Sequence, residues 1–306
     1  MDYDLLTTFI YLAKLKNFTK TAEQLHVVQS TITSRIKHLE YNVGETLFIR
    51  TNKNVELTNA GEAFLPYAKQ LLSIQESAIF RLKALELFKD TINIGAVHSI
   101  YDCHVQDMIL KYMQKNNKIA VKVTIEHSEE LIQMLHEDQL DIAFTYWDIK
   151  SPKFICEPFY SDKIILVTAS QNSAAACGIT NDELRTLPLL SSAILTATFQ
   201  QWFHSIFPKN YVYPLDINII SSIIKFLKEG IGYSFIMESA ARRFLEEGSL
   251  VEVKLLESTP PNMESYMLIN SQRINSAAVS QWLTDFMPDS FLPGVTHLQQ
   301  NDSINQ

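Results

Sequence analysis

Residues 18–40 read F-T-K-T-A-E-Q-L-H-V-V-Q-S-T-I-T-S-R-I-K-H-L-E and contain two short apolar stripes. Each stripe repeats at spacings of three or four residues, the period of one helix face. The stripes are Phe18, Ala22 and Leu25, and then Ile32, Ile36 and Leu39. Thr19 is the candidate N-cap of the first helix, and only a few residues around His26 to Val28 connect the two. Two short helices joined by a tight turn, with the small Ala22 at their crossing, predict a helix-turn-helix.

The polar face of the second helix is rich in short hydrogen-bonding side chains. A helix that enters the major groove of DNA needs such side chains to approach base edges, with Arg or Lys for guanine or phosphate. The candidate DNA-binding residues on this helix are Gln29, Ser30, Thr31, Ser34, Arg35 and Lys37. The alternative is the solvated face of an ordinary amphipathic helix.

A candidate wing follows this helix. Segments 47–49 and 55–57 alternate like short strands around the turn Thr51-Asn52-Lys53-Asn54. Arg50 and Lys53 are placed to meet the phosphate backbone, which supplies affinity rather than sequence discrimination. A surface hairpin with incidental charges is the alternative.

The charge distribution agrees with a local DNA-binding surface. The chain has 306 residues and a net charge of −8, with 11 basic against 10 acidic residues in 1–90 and 15 against 24 in 91–306. Between Lys14 and Lys53, seven basic residues face three acidic ones. A cationic patch on an acidic protein is expected to bind nucleic acid locally.

Cysteine usage and hydropathy indicate a cytoplasmic protein with no membrane partner. Cys103, Cys156 and Cys177 are an odd number without a C-x-x-C pair, which disfavours a disulfide framework and a zinc ribbon. The N-terminal residues do not form a signal peptide pattern, and no window approaches ~20 uninterrupted apolar residues.

The N-terminal residues resemble those of the LysR-type transcriptional regulators. The resemblance rests on Leu5 with Phe9, the spacing from Phe18 through Leu25, and the runs V28-Q-S-T-I-T-S-R-I-K-H-L-E40, G44-E-T-L-F-I-R50 and L57-T-N-A-G-E62. Ser30 stands where the family pattern often has proline, and Thr33 where it often has serine. Ser30 therefore either caps the helix or contacts DNA.

The resemblance implies an α/β protein with an N-terminal winged helix-turn-helix, a long linker helix and a periplasmic-binding-protein-like effector domain of two subdomains. The expected domains are 1–58 for DNA binding, 59–89 for the linker, 90–293 for the effector domain and 294–306 for a flexible tail. Subdomain I would comprise 90–160 and 268–293, and subdomain II 161–267. Crossover segments would lie near 160–162 and 265–267. In the family the linker helix dimerises the DNA-binding domains, so a homodimer or homotetramer is expected.

The linker pattern itself shows two apolar seams, which indicate more than one neighbour. The seams are Leu65, Ala68, Leu72, Ile79 and Leu82, and then Leu71, Ile74, Ala78 and Leu85. Beyond residue 90, strands alternate with helices, the pattern of an α/β domain with largely parallel sheets. The predicted strands are 91–97, 121–126, 140–145, 154–159, 163–169, 189–191, 211–217, 231–237, 250–255 and 265–269.

In such sheets a ligand lies beyond the carboxyl ends of the strands, near helix N-termini. The candidate effector-binding residues are His98, Ser99, Ser128, Ser191 and Ser222. Hydroxyls beside helix starts suit a small anion. The alternative is that each serine is only an N-cap. Ser99 and Ser128 match family positions that line the effector cavity.

Catalytic signatures are missing from the sequence: no G-x-S-x-G, H-E-x-x-H, G-x-x-x-x-G-K or G-x-G-x-x-G occurs. His98, Cys103 and His104 match no standard metal spacing, and Asp141 has the position of a structural residue rather than a general base. No catalytic residue, metal or cofactor is therefore expected.

The expected function is sequence-specific binding of double-stranded DNA that regulates transcription and responds to a small-molecule effector, with RNA polymerase as a possible partner. A redox-responsive regulator, an architectural DNA binder and an enzyme on a solute-binding α/β fold are the alternatives.

Overall fold

The structure is a computed structural model that describes residues 2–50, 55–175, 178–191 and 196–287. The chain divides into two compact units between Leu87 and Phe88. The first unit contains four helices and a two-stranded hairpin within the described residues. They are α1 (Tyr3–Leu15), α2 (Phe18–Gln24), α3 (Gln29–Val43), β1 (Phe48–Arg50), β2 (Val55–Leu57) and α4 (Asn59–Leu87).

The predicted helix-turn-helix and the hairpin strands are confirmed as α2, α3, β1 and β2. Ile32, Ile36 and Leu39 are fully buried, as the spacing predicts, and pack with Phe9 and Leu12 of α1 in one core. The predicted cap of α2 is wrong. Asn17 is the N-cap, and its side chain accepts a hydrogen bond from the Lys20 amide at 3.0 Å.

The seams of α4 separate into an inner and an outer face. Ala68 is buried in the core of the first unit, and Leu65 and Leu72 pack against that core. Several other large apolar side chains of the helix are exposed. They are Tyr67, Leu71, Ile74, Ile79, Leu82 and Leu87. Only part of the predicted apolar surface is therefore covered within the first unit.

Gly61 allows the start of α4 to touch the hairpin. A Cβ at this position would lie 2.2 Å from the carbonyl oxygen of Leu47 and 2.9 Å from the Leu57 side chain. The Thr58 hydroxyl caps α4 by accepting from the Gly61 amide at 3.0 Å, and it donates to the Thr46 carbonyl at 2.7 Å. The hairpin and the helix thus meet through backbone contact.

The second unit contains nine strands and eight α-helices within its described residues. The strands are β3 (Asp90–Ala96), β4 (Ile119–Ile125), β5 (Ile142–Thr145), β6 (Phe154–Asp162), β7 (Ile164–Ala169), β8 (Leu189–Leu190), β9 (Tyr233–Met237), β10 (Leu250–Val253) and β11 (Met263–Asn270). The helices are α5 (His98–Ile100), α6 (Gln106–Lys115), α7 (Ser128–His136), α8 (Asn181–Thr186), α9 (Ala197–Ile206), α10 (Ile220–Lys228), α11 (Glu238–Glu246) and α12 (Ala277–Phe286). A π-helical turn, Tyr101–Val105, joins α5 to α6.

These strands form two sheets, in the orders β4-β3-β5-β11-β6 and β10-β7-β9-β8. The expectation of largely parallel sheets is wrong. The pairs β3–β4, β3–β5 and β8–β9 are parallel, whereas β11 with β5, β11 with β6, β7 with β9 and β7 with β10 are antiparallel. β7 and β11 each follow a crossing from the other sheet. Each begins beside the C-terminal ends of the parallel strands and therefore runs in the opposite direction.

The chain passes between the two sheets along paired segments. Residues Met263, Glu264 and Ser265 of β11 pair with 160–162 of β6, and only Lys163 separates β6 from β7. The first crossover thus lies at the expected residues 160–162, and the second lies two residues before the expected 265–267.

The predicted strand 211–217 is wrong. This segment makes only an isolated bridge, from Asp216 to Ser191. Tyr211 and Tyr213 pack on one hydrophobic cluster, and Leu215 and Ile217 on another. Packing against two cores produces the strand-like alternation without a full partner strand.

A buried network of charged side chains stabilises the sheet β4-β3-β5-β11-β6. It lies at the ends of the strands that are opposite the paired crossover segments. The fully buried carboxylate of Asp141 accepts from the Asn93 amide at 2.7 Å and from Arg273 Nε at 2.9 Å. Arg273 also lies 3.7 Å from Asp90, whose other oxygen accepts from the Ala278 amide. The network therefore joins β3, β5 and the start of α12.

We predict that Arg273→Met destabilises the protein by about 3 kcal/mol, because it leaves the Asp141 carboxylate buried without its cation. Urea unfolding measures the change. Arg243→Met is the matched control, since Arg243 pairs with Glu247 on the exposed surface of α11, and we expect a change within about 0.5 kcal/mol. Equal effects of the two substitutions would contradict a structural role for Arg273.

Candidate functional site

The turn between α2 and α3 is short and well bonded. His26 adopts a left-handed conformation with φ of 53°, and the Val27 amide donates to the Ala22 carbonyl at 3.0 Å. Val27 packs against the core of the first unit. This turn sets the position at which α3 begins.

The outer face of α3 is open to solvent. Gln29, Ser30, Ser34 and Lys37 are exposed, and Thr31 is half-buried. The N-cap of α3 is Val28, and no side chain caps this end. Ser30 is therefore not the cap, and its hydroxyl lies on the face predicted to read bases.

Arg35 differs from its predicted neighbours because it is held by α1. Its guanidinium forms an ion pair with Asp4 and lies 3.5 Å from the Thr8 hydroxyl. The Thr8 hydroxyl in turn donates to the Asp4 carbonyl at 2.7 Å. Arg35 thus fastens α3 to α1 in this structure.

The end of α3 is tied to the hairpin by Glu40. One carboxylate oxygen accepts from the amides of Leu47 and Phe48, at 2.9 and 3.2 Å. The helix therefore positions the strand β1 that leads to the wing tip. Lys53 lies outside the described residues, and Arg50 is described only as the backbone end of β1.

In the second unit, Ser99 and Ser128 meet at Tyr146, directly after β5. The Ser99 hydroxyl and the Tyr146 hydroxyl lie 2.7 Å apart, and the Ser128 hydroxyl accepts from the Tyr146 amide at 3.2 Å. Neither serine is an N-cap, because Val97 and His127 hold those positions. The structure therefore joins the two serines through a tyrosine that the sequence pattern did not single out.

Tyr146 also reaches the second sheet. Its hydroxyl lies 3.5 Å from the sulfur of Met237 at the end of β9, and its ring packs against the cores of both sheets. Burial raises the pKa of Tyr146 well above its usual value, and Asp162 and Cys103 add to the increase. A neutral phenol therefore lies between the cores of the two sheets.

Asp162 provides a second link across this boundary. Its carboxylate accepts from the amide and the hydroxyl of Ser239 at the start of α11. His104, in the π-helical turn between α5 and α6, lies 3.6 Å from the same carboxylate and packs on Tyr160. Asp162 thus joins the crossover strand β6 to α11 and to the π-helical turn that precedes α6.

Cys103 lies beside this link. Burial raises the pKa of its thiol, Asp162 and Asp102 raise it further, and a hydrogen bond with Ser239 opposes the increase. Burial likewise raises the pKa of Cys156. Both groups are therefore held as thiols rather than as reactive thiolates.

The other predicted effector residues have different contacts from those of Ser99 and Ser128. His98 is half exposed and pairs with Asp102 at 3.3 Å. Ser191 bridges to Asp216 through its backbone. Ser222 follows the N-cap Ile219 by three positions, so it is not a cap either.

Ser222 lines a surface cavity of about 590 Å³. The lining residues are Ser221, Ser222, Lys225, Phe226, Glu229 and Ile231, all from α10 and the loop that follows it. None of them contributes to the Ser99–Tyr146–Ser128 cluster. The assignment of Ser222 to an effector site therefore stays a prediction.

Sequence reasoning missed Tyr146, Asp162 and Glu40. The rule that selected Ser99 and Ser128, position just beyond a parallel strand, applies equally to Tyr146 after Thr145. For Asp162 and Glu40 we find no sequence signal, since their partners are distant in the chain.

Within the described ranges, no group of three or more His, Cys, Asp or Glu side chains is arranged to hold a metal ion. The helices in those ranges are all too short or too polar to cross a lipid bilayer.

Comparison with known proteins identifies both parts of the chain. Residues 3–62 match the family model of the bacterial regulatory helix-turn-helix protein, lysR family, and residues 86–288 match the LysR substrate binding domain. The regulator CitR of Bacillus subtilis is 27% identical over 277 residues, covering 88% of this chain and 93% of CitR. YusT, an uncharacterised regulator of the same organism, is 24% identical over 302 residues and covers 98% of both chains.

Solved structures show the same fold. CbnR in complex with its target DNA superposes with a TM-score of 0.69 at 16% identity, covering 94% of this chain and 99% of CbnR. CrgA from Neisseria meningitidis gives a TM-score of 0.54 at 16% identity, covering 94% of this chain and 97% of CrgA. The two family models together span both units, and on this ground the chain belongs to the LysR family of transcriptional regulators.

Proposed function

We propose that this protein binds a specific DNA sequence through α3 and the wing, and that a small molecule bound between the subdomains controls its regulatory state. The observation that carries the DNA-binding part is the exposed polar face at the start of α3. Residues at the N-terminal end of a recognition helix are the ones that reach base edges.

The candidate DNA-binding residues fall into two chemical groups. Gln29, Ser30 and Ser34 are short hydrogen-bonding groups suited to base edges, with Thr31 at the margin of the face. Lys37, together with Arg50 and Lys53 of the wing, would contact phosphates, which add affinity without reading sequence.

For Arg35 we propose a positioning role. Its guanidinium is already bonded to Asp4 and Thr8, so reading a base would require it to leave a charged partner. A recognition helix that is fastened to α1 presents its side chains in one orientation, which lowers the entropy lost on binding.

For the effector we propose a site at the Ser99–Tyr146–Ser128 cluster. A molecule that bonds to these hydroxyls would compete with the contact between Ser99 and Tyr146 and thereby alter the link to Met237. Different affinity for the two arrangements would then shift their populations.

The effector is expected to be anionic, and this expectation suits only one side of the Ser99–Tyr146–Ser128 cluster. Burial is the main cause of the raised pKa of Cys103, and the carboxylates of Asp162 and Asp102 raise it further, so an anion beside Cys103 would meet two like charges. We therefore place any carboxylate of the effector near Ser128 at the start of α7, and a neutral polar group near Cys103.

A redox-responsive function receives no support from the described thiols. The raised pKa values of Cys103 and Cys156 lower the thiolate fraction on which peroxide reactivity depends.

Self-association is proposed through the outer face of α4, as a homodimer or homotetramer. Leu71, Ile74, Ile79 and Leu82 are exposed there. A long helix that faced only water would not carry such a row of aliphatic side chains.

We predict that Gln29→Ala relaxes discrimination at one base pair, with a loss of about 1–3 kcal/mol for the preferred base. Lys37→Ala should instead weaken binding to all duplexes alike and reduce the salt slope by about one. Duplexes selected from a random pool and measured by fluorescence anisotropy give both quantities. Lys225→Ala on α10 is the control and should change neither. No preference for any duplex would refute the proposed function.

We expect Ile79→Asp with Leu82→Asp to yield monomers, because two charges would enter the apolar face of α4. Light scattering of the full chain measures the mass. Leu72→Asp is unsuitable for this test, since Leu72 packs against the core of the first unit. Lys69→Asp, a charge change elsewhere on the same helix, is the control. An unchanged mass in the double variant would exclude this face as the interface.

We predict that Tyr146→Phe destabilises the protein by about 1 kcal/mol at neutral pH through loss of the Ser99 hydrogen bond. The raised pKa of Tyr146 contributes stability that is present below about pH 10 and is lost as the pH rises toward the folded pKa. The difference in the free energy of unfolding between the wild type and Tyr146→Phe should therefore become smaller above pH 10. Urea unfolding under reducing conditions measures this, with Tyr67→Phe on the exposed face of α4 as control. If this difference did not change with pH, folding would not raise the pKa of Tyr146.

A further inference from the structure

Val28 stands immediately before the helix proposed to read DNA. Its side chain is 66% exposed, and its extended backbone, with φ of −79° and ψ of 150°, makes it the N-cap of α3. The neighbouring helix α2 has Asn17 at this position, where the side chain accepts from the Lys20 amide. Val28 provides no such acceptor.

Valine is therefore unfavourable here for two separate reasons. It is among the poorest N-cap residues, because it leaves the first helical amides without a side-chain partner. It also exposes an aliphatic surface to water. Serine or threonine would remove the first disadvantage, and serine also the second.

Contacts of the neighbouring residues hold Val28 in place. Val27 is packed into the core, His26 has a left-handed backbone, and the Thr31 amide donates to the Val28 carbonyl at 2.9 Å. Val28 is thus held on the same end of α3 as the exposed Gln29 and Ser30.

An aliphatic group at the level of the bases has one suitable partner in the major groove, the C5-methyl group of thymine. Contact with this methyl would remove the Val28 side chain from water on binding. We propose that Val28 is a specificity-determining residue that recognises a thymine by its methyl group. The proposal rests on the DNA-binding function proposed above and adds an apolar contact to its polar ones.

Deoxyuridine provides the test, since it differs from thymidine only by the missing methyl group. The full-length protein is used to select a duplex from a random pool, and each thymine of that duplex is then replaced singly by deoxyuridine. For the wild type, we expect one replacement in a half-site to weaken binding about fourfold, the effect of one buried methyl group. Fluorescence anisotropy at fixed salt measures each affinity.

Two variants separate the methyl contact from helix capping. Val28→Ser supplies a cap and removes the apolar group, so it should bind the thymine and deoxyuridine duplexes equally, with an unchanged or higher melting temperature. Val28→Ile keeps the apolar group and should keep the discrimination.

The proposal is overturned if no thymine replacement affects the wild type, or if Val28→Ser discriminates as strongly as the wild type. A lower melting temperature for Val28→Ser would also overturn it, since Val28 would then serve the fold. If the pool yields no preferred duplex, the proposed function itself fails, which is a distinguishable result.

Discussion

The second unit depends on one constraint, that the chain crosses between two sheets twice along paired backbone segments. The pairing of Met263 with Asp162 places both crossings side by side. It determines the direction in which β7 and β11 enter their sheets, and hence the mixture of parallel and antiparallel pairs. The same pairing brings the Asp162 carboxylate to the start of α11. The contacts of Tyr146 lie at the boundary that these crossings create.

Two carboxylates hold α3 in the first unit, one at the middle of the helix and one near its C-terminal end. Asp4 pairs with Arg35 on the side of α1, and Glu40 binds two amides at the start of β1. The exposed polar face of α3 is therefore carried by a helix that contacts both α1 and the start of β1. Such preorganisation favours selective binding, because fewer groups must be ordered when the partner arrives.

The parts of the fold that depend on local periodicity were predictable from the sequence. Ile32, Ile36 and Leu39 revealed the buried face of α3, and most strands of the second unit lie within a few residues of their predicted positions. The strand prediction for residues 211–217 was wrong because alternating apolar residues indicate burial and do not show that a partner strand is present. The predicted N-cap of α2 was wrong by two residues. Asn and Thr are both common N-cap residues, and only the backbone conformation shows that the helix begins after Asn17. The ion pair between Arg35 and Asp4 could not be predicted, because the two residues are 31 positions apart in the chain. In the candidate effector site, the two serines were found from strand ends, but the tyrosine between them was not.

The close approach at Gly61 has a mechanical consequence. The Leu47 carbonyl rests on the backbone of α4, with no β-carbon to separate them. Side chains can absorb small displacements by changing rotamer, whereas a backbone pressed against a backbone cannot. A rotation or tilt of the beginning of α4 would therefore press directly on the backbone that leads into β1.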